Sequence, residues 1–217
     1  MNNLKNLPVL ILAYNRFDKF KYCIDTLAKY EIKKIFISID GPKNDFDLQN
    51  QSKIYSFCSN NRNDANIIIN QLKINYGCRI APLKGISWFF SKNKYGVILE
   101  DDVIVSKKCM EVFLFLLEKN INKKNFMSIT SFNEFTNKKI ESVYTLPVWR
   151  SWGWACWADR WNYHLNFSKK IKDYNIWKLY QMLPEHFKSM QTAKIIKASQ
   201  LNLLDANSST FLFLMCL

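Results

Sequence analysis

The chain of 217 residues predicts an α/β fold with an open, mostly parallel sheet flanked by helices. Three observations predict it. Short, continuous β-prone runs recur through the first two-thirds of the chain. Most are followed by a segment whose apolar residues fall at helical spacing. Three of the runs end in polar or charged residues rather than fading into a loop. A strand buried on both faces reads as an unbroken apolar run, and strands alternating with helices pack as a parallel sheet.

Val9 to Ala13 (VLILA) and Ile35 to Ile39 (IFISI) are the first two runs, ending in Tyr14-Asn15-Arg16 and Asp40-Gly41-Pro42. Between them, Phe17 to Tyr30 carries Phe17, Phe20, Ile24, Leu27 and Ala28 on one helical stripe, which makes a βαβ unit with a right-handed crossover. Asp45 to Ser59 reads as a second helix and Asn66 to Ile74 (NIIINQLKI) as a third strand. Asn75-Tyr76-Gly77 reads as a turn and Arg79 to Phe90 as a helix. Tyr95 to Leu99 (YGVIL) is the fourth strand and runs directly into Glu100-Asp101-Asp102. Ser106 is placed to cap a helix over Lys107 to Glu118, and Met127 to Ser131 is the fifth strand. A tryptophan-rich stretch from Trp149 to Trp161 follows, then a helical region from Lys169 to Leu183 and one more helix after Pro184. The length suits a single domain over residues 1–217.

Composition narrows the function classes. Hydrophobic residues make up 48% of the chain, which excludes a disordered or fibrous protein. No export signal is expected from the composition of residues 1–13, and no stretch approaches the ~20 apolar residues of a membrane span. The six cysteines lack CxxC spacing, so structural zinc is not expected and the simplest reading is reduced thiols in the cytoplasm. The net charge of +13 is spread over dispersed lysines such as Lys33-Lys34, Lys107-Lys108 and Lys169-Lys170. A lysine-rich composition without functional content explains it first. Peripheral contact with the anionic inner face of the membrane is the functional alternative.

Ligands of an open α/β sheet bind at the carboxyl ends of its strands, and Arg16, Asp40 and the acidic triplet all stand at such ends. Adjacent carboxylates repel unless a cation offsets them, and a hard divalent ion such as Mn²⁺ or Mg²⁺ takes one or two carboxylates plus substrate phosphates. Residues 100 and 102 would face one side of an extended segment and residue 101 the other. The competing reading is an acidic surface turn. Glycine-rich phosphate loops and a GxSxG elbow are absent, and His164 and His186 are the only histidines, so nucleotide-binding P-loops, dehydrogenases and serine hydrolases find no support. In SWGWACWADRW, residues Trp154, Trp157 and Trp161 fall at helical spacing and read as a core-facing stripe. Trp149 and Trp152 fall off that stripe and are candidates for a platform against a sugar ring or lipid-linked acceptor.

The ordered series PVLILAYNRFDKF, IFISIDGP, NYGCRIAPLKGISWFF, YGVILEDDV and SWGWACWADRW resembles GT-A-fold glycosyltransferases, specifically the N-acetylglucosaminyltransferase I-like branch and its bacterial relatives. It covers roughly residues 8 to 165. The resemblance implies a donor-binding part over about 8–131 and an acceptor-side part over about 145–217. It implies that Arg16 meets the donor phosphates, Asp40 recognises the nucleotide base and Asp102 binds the metal. Glu100 and Asp101 would contact ribose or orient the site, and Arg79 would be a further donor contact. Asp205 in LLDANSSTFLFL is the matching candidate for the catalytic base. Family members continue past this point, so the chain is expected to be a C-terminally truncated member.

The expected reaction is therefore metal-dependent transfer of a hexosyl or N-acetylhexosaminyl group, with inversion, from a nucleoside diphosphate sugar to a hydroxyl. The acceptor would be a glycan or lipid-linked precursor of a cell-surface polysaccharide. Two rivals stand beside it: an inactive truncated GT-A domain that still binds nucleotide, and a basic nucleic-acid-binding protein. Dispersed basic residues and an acidic triplet argue against nucleic acid as a partner.

Overall fold

Eleven regular elements succeed one another among the described residues: β1 (Pro8–Ala13), α1 (Phe17–Lys29), β2 (Lys34–Ile39), α2 (Asp45–Asn60), β3 (Asn66–Gln71), α3 (Gly77–Phe90), β4 (Tyr95–Glu100), α4 (Lys107–Lys119), β5 (Ser128–Thr130), β6 (Trp154–Trp157) and α5 (Ala158–Lys170), with a single 3-10 turn at Leu4–Asn6 ahead of them. The computed structural model describes residues 3–60, 65–131, 143, 151–170 and 181, with α5 side chains described through Asn166.

The strands form one sheet in the order β3-β2-β1-β4-β6-β5. β1 pairs in parallel with β2 and β4, and β2 in parallel with β3, whereas β6 runs antiparallel to β4 and β5. The chain thus builds outward from β1 to β3, then returns to the other side of β1 with β4. That reversal makes the carboxyl ends of β1 and β4 the switch point, where successive loops part and leave a crevice.

Alternation along each strand feeds two cores. Val9 and Ile11 of β1, with Val97 and Leu99 of β4, join Phe20 and Leu27 of α1, Ile54 of α2 and Phe113 of α4 on one face. Leu10 and Ile98 point the other way and meet Ile86, Phe89 and Phe90 of α3 and Trp161 of α5. Each fully buried Leu, Ile or Phe contributes about 1.5–3 kcal/mol relative to exposure. Helices on both faces explain why β1, β2 and β4 read as unbroken apolar runs. Ser106 caps α4 as expected, its hydroxyl accepting from Cys109 N at 3.1 Å.

The structure corrects the tryptophan stripe and two element bounds. The tryptophan stripe is not one helix. Trp154 to Trp157 is strand β6, so Trp154 and Cys156 enter the α3 side while Ala155 and Trp157 enter the opposite core. All three stripe tryptophans are buried, and only Trp161 lies on a helix. The third strand stops at Gln71 rather than Ile74, and α3 opens at Gly77, so Arg79 lies inside its first turn. The helix expected over Lys169 to Leu183 lies almost entirely outside the described residues, and the one after Pro184 wholly so.

Candidate functional site

Arg16 occupies the N-cap position of α1 and makes no side-chain cap there. Ser, Thr, Asp or Asn serves that position better, and a cation opposes the helix dipole. The local sequence gives up a cap, and the side chain is used elsewhere. Arg16 Nη1 donates to Asp102 Oδ2 at 2.6 Å, and Arg16 Nη2 donates to Asp101 Oδ1.

The triplet is held in register by the β1–β4 ladder. Leu12 pairs with Glu100, and Asp101 N donates to Leu12 O at 3.1 Å, carrying the pairing one residue further. A bond from Val103 N to Glu100 O at 3.0 Å closes the turn. Asp101 is turned inward with its side chain 1% exposed, while Asp102 faces outward at 38% and Arg16 is half exposed. The alternation expected for residues 100 to 102 is therefore present for Asp101 and Asp102.

Three carboxylates face one guanidinium. Burial raises the Glu100 carboxyl above its ordinary range, and Asp102 and Asp101 push it further against the pull of Arg16. Burial likewise raises Asp101 more than the Arg16 bond lowers it. Asp101 Oδ2 is buried with no hydrogen-bond partner. The site thus carries surplus negative charge and an unsatisfied buried oxygen, which fits a hard divalent ion. Among the described residues no three His, Cys, Asp or Glu side chains form a cage for a metal. An ion here would take Asp102 with one neighbouring carboxylate and complete its shell from substrate oxygens and water.

Asp40, at the end of β2, is 8% exposed. Its Oδ1 accepts from Gly41 N and Tyr76 N, both at 2.9 Å, and its Oδ2 accepts from Gly77 N at 2.8 Å. α3 has no side-chain cap of its own from Tyr76, so Asp40 supplies it from the neighbouring strand and lies at the positive end of that helix. A carboxylate has about four acceptor positions, and one on Oδ2 is left. Gly41 is required by close approach: a Cβ there would lie 2.2 Å from Ile74 C.

The remaining sequence candidates fall at different places. Arg79 is half-buried in the first turn of α3. Trp152 is 53% exposed and stands two residues before Trp154, which pairs with Ile98. The ladder ends there, and Ser131 Oγ donates to Trp152 O at 3.0 Å, which ties this residue to the end of β5. Gly153, at φ +74°, packs so tightly there that a Cβ would meet Val105 at 2.8 Å. Trp149 and Asp205 lie outside the described residues. The structure therefore joins Arg16, Asp101 and Asp102 directly, and it sets Gly153, next to Trp152, against Val103 and Val105 just after the triplet.

Sequence reading passed over Tyr14, Asn15, Asp47 and Gln51. Tyr14 and Asn15 directly precede Arg16 and bond to Asp47 of α2, and Gln51 Nε2 donates to Asp40 O at 2.9 Å. Their signal was a pair of polar residues at positions 47 and 51, on the helical face that also carries Ile54 and Cys58. Cys23, beneath the triplet, has its thiol pushed up to about 12 by burial and by Asp101 and Asp102, so it is inert at neutral pH. No described helix is long and apolar enough to cross a membrane.

The family model of glycosyl transferase family 2 matches residues 9–186, which include Arg16, Asp40, Arg79, the acidic triplet, Trp149 and Trp152 but not Asp205. No curated protein matches the chain.

Proposed function

The chain belongs to glycosyl transferase family 2 and is a GT-A glycosyltransferase, and we propose that it moves a sugar from a nucleoside diphosphate to a hydroxyl with the diphosphate bound between Arg16 and the Glu100–Asp102 turn. One observation carries this: a forked cation and a surplus of carboxylates meet at the switch point of the sheet. A guanidinium matches phosphate oxygens bidentately, and charge building on the leaving diphosphate is what catalysis has to stabilise. Bound at Asp102, Mn²⁺ or Mg²⁺ would supply further charge neutralisation at that leaving group.

The other residues take roles around this centre. The open acceptor position on Asp40 Oδ2 suits one N–H of the nucleotide base, and Arg79 approaches the donor from the start of α3. Trp152, with Trp149, offers an apolar face to the acceptor sugar. A carboxylate, for which Asp205 is the candidate, takes the acceptor hydroxyl proton as that oxygen attacks the anomeric carbon. Attack opposite the departing diphosphate inverts the anomeric centre. The transferred group is a hexose or N-acetylhexosamine, in keeping with the N-acetylglucosaminyltransferase I-like series of motifs. The acceptor is a cell-surface glycan precursor, and the net charge of +13 favours work at an anionic membrane face in the cytoplasm.

Calorimetry with uridine, guanosine, cytidine and adenosine diphosphates, each with and without Mn²⁺, tests the reading. One nucleotide should bind, and only with the ion present. Absence of binding by all four in both conditions would overturn it.

A further inference from the structure

α2 carries two polar side chains where its buried stripe should be apolar. Asp47, Gln51, Ile54 and Cys58 are its buried residues, spaced by four, three and four, so they share one face. Asp47 is 4% exposed and Gln51 is fully buried. A carboxylate on such a face is unfavourable unless hydrogen bonds replace its water.

Asp47 is furnished with those bonds, all from neutral donors. Tyr14 Oη donates to Oδ2 at 2.5 Å, Asn15 Nδ2 to Oδ1 at 2.6 Å, and Lys43 N to Oδ2 at 2.9 Å. An ordinary helix start accounts for only part of this. Asn44 accepts from Asp47 N at 3.0 Å as a cap would, and the bond to Lys43 N is local. The bonds to Tyr14 and Asn15 reach 33 and 32 residues back along the chain.

The donors locate the consequence. Tyr14 and Asn15 immediately precede Arg16, and Lys43 follows Asp40-Gly41-Pro42. Gln51, one turn on, holds Asp40 O at 2.9 Å. One face of α2 therefore grips both loops at the carboxyl ends of β1 and β2. Burial and the Asp47 bond push the Tyr14 phenol up to about 12, and the same bond draws the Asp47 carboxyl below its usual range. The proton stays on Tyr14, and the contact is a charge-assisted O–H···O⁻ bond.

We propose that Asp47 is a positioning residue of the donor site, locking the Tyr14–Arg16 loop to the β2–α2 loop so that Arg16 and Asp40 meet the nucleotide in one geometry. This rests on the nucleotide-binding reading above. Asp47 acts through those loops and touches no reacting atom.

The test uses the full chain with Asp47→Ala and Asp47→Asn. One amide oxygen can still accept from Tyr14 and Lys43, and the amide nitrogen can meet a flipped Asn15. Asp47→Ala should weaken Mn²⁺-dependent binding of the four nucleoside diphosphates about tenfold or more, while Asp47→Asn recovers most of it. Hydrogen exchange should accelerate in Asp47→Ala at residues 14–17, Gly41 and Lys43, and stay unchanged in β4 and α4. Wild-type affinity in Asp47→Ala, equal damage from both variants, or acceleration throughout the sheet would each overturn the proposal. If wild type binds none of the four nucleotides, the nucleotide reading fails by itself; unchanged exchange in Asp47→Ala would still refute the anchoring. Should Asp47→Ala not fold, Tyr14→Phe and Asn15→Ala each remove one bond, and the same readouts apply.

Discussion

Arg16 Nη1 lies 2.6 Å from Asp102 Oδ2, and this ion pair bridges the loops after β1 and β4 across the point where strand order reverses. The same guanidinium is bonded to Asp101, whose side chain is buried. Arg16 is thus the counter-ion of the acidic turn. Under the proposed function, a diphosphate arriving here would compete with the carboxylates for that fork, and a cation would take over the charge that Arg16 balances.

Arg16→Gln should destabilise the fold by roughly 1–3 kcal/mol, because it strands the Asp101 carboxylate. The figure stays below that of a fully buried pair, since Arg16 is half exposed and screened by solvent. Adding Asp101→Asn to the same chain should restore most of the loss, as removing both partners leaves no uncompensated charge. Urea denaturation of the two single variants and the double variant measures this coupling. Additive losses would show that the two residues do not act as a pair.

Asp102→Asn tests the metal. The neutral amide keeps the shape of the turn and can still accept one bond from Arg16, so circular dichroism should not change. Mn²⁺-dependent binding of a nucleoside diphosphate should fall at least about a hundredfold, in line with loss of a charged metal ligand. Unaltered affinity would remove Asp102 from the metal site.

What could be read from sequence followed burial. β1, β2 and β4 are covered on both faces, so VLILA, IFISI and YGVIL announced themselves, and the polar residues ending them led to Arg16, Asp40 and the triplet. Ser106 was legible because a cap is local chemistry. β6 was not legible, because Trp154, Trp157 and Trp161 have the spacing of a helical face. The state of Trp154 and Trp157 is decided by pairing with Ile98 and Tyr95, far away in the chain. The partners of Asp40 at Tyr76 and Gly77 stand 36 and 37 residues on, and nothing local to Asp40 points to them. Asp47 was hidden for the same reason: its bonds to Tyr14 and Asn15 exist only once the loop after β1 reaches the start of α2.

Asp40→Ala should lower stability by roughly 2–4 kcal/mol, because three backbone N–H groups lose a charged acceptor and the start of α3 loses its cap. Asp40→Asn should recover about half, since one oxygen can still serve Gly41 and Tyr76 while Gly77 N is left without its partner. Chemical denaturation gives the stabilities, and hydrogen exchange at Tyr76 and Gly77 locates the change. A midpoint equal to wild type in Asp40→Ala would refute the capping role.

His164 supplies the last prediction, about acid. It lies on α5, 6% exposed, with its ring 5.3 Å from that of Trp161. Burial lowers its pKa from 6.5 to about 4. Above pH 6.5 the imidazole is neutral whether the chain is folded or unfolded, and its contribution to stability is fully present. As pH falls from 6.5 towards 4 the unfolded chain binds a proton that the folded chain refuses, so stability declines across that window. Below about 4 both states are protonated and this residue adds no further decline. The shift corresponds to about 3 kcal/mol at most. His164→Phe keeps an aromatic ring against Trp161 and removes the titration. Urea unfolding at steps between pH 4 and 7 should then show a shallower acid slope for the variant, the difference growing from nothing near pH 7. Parallel slopes for the two proteins would show that His164 is not held neutral by the fold.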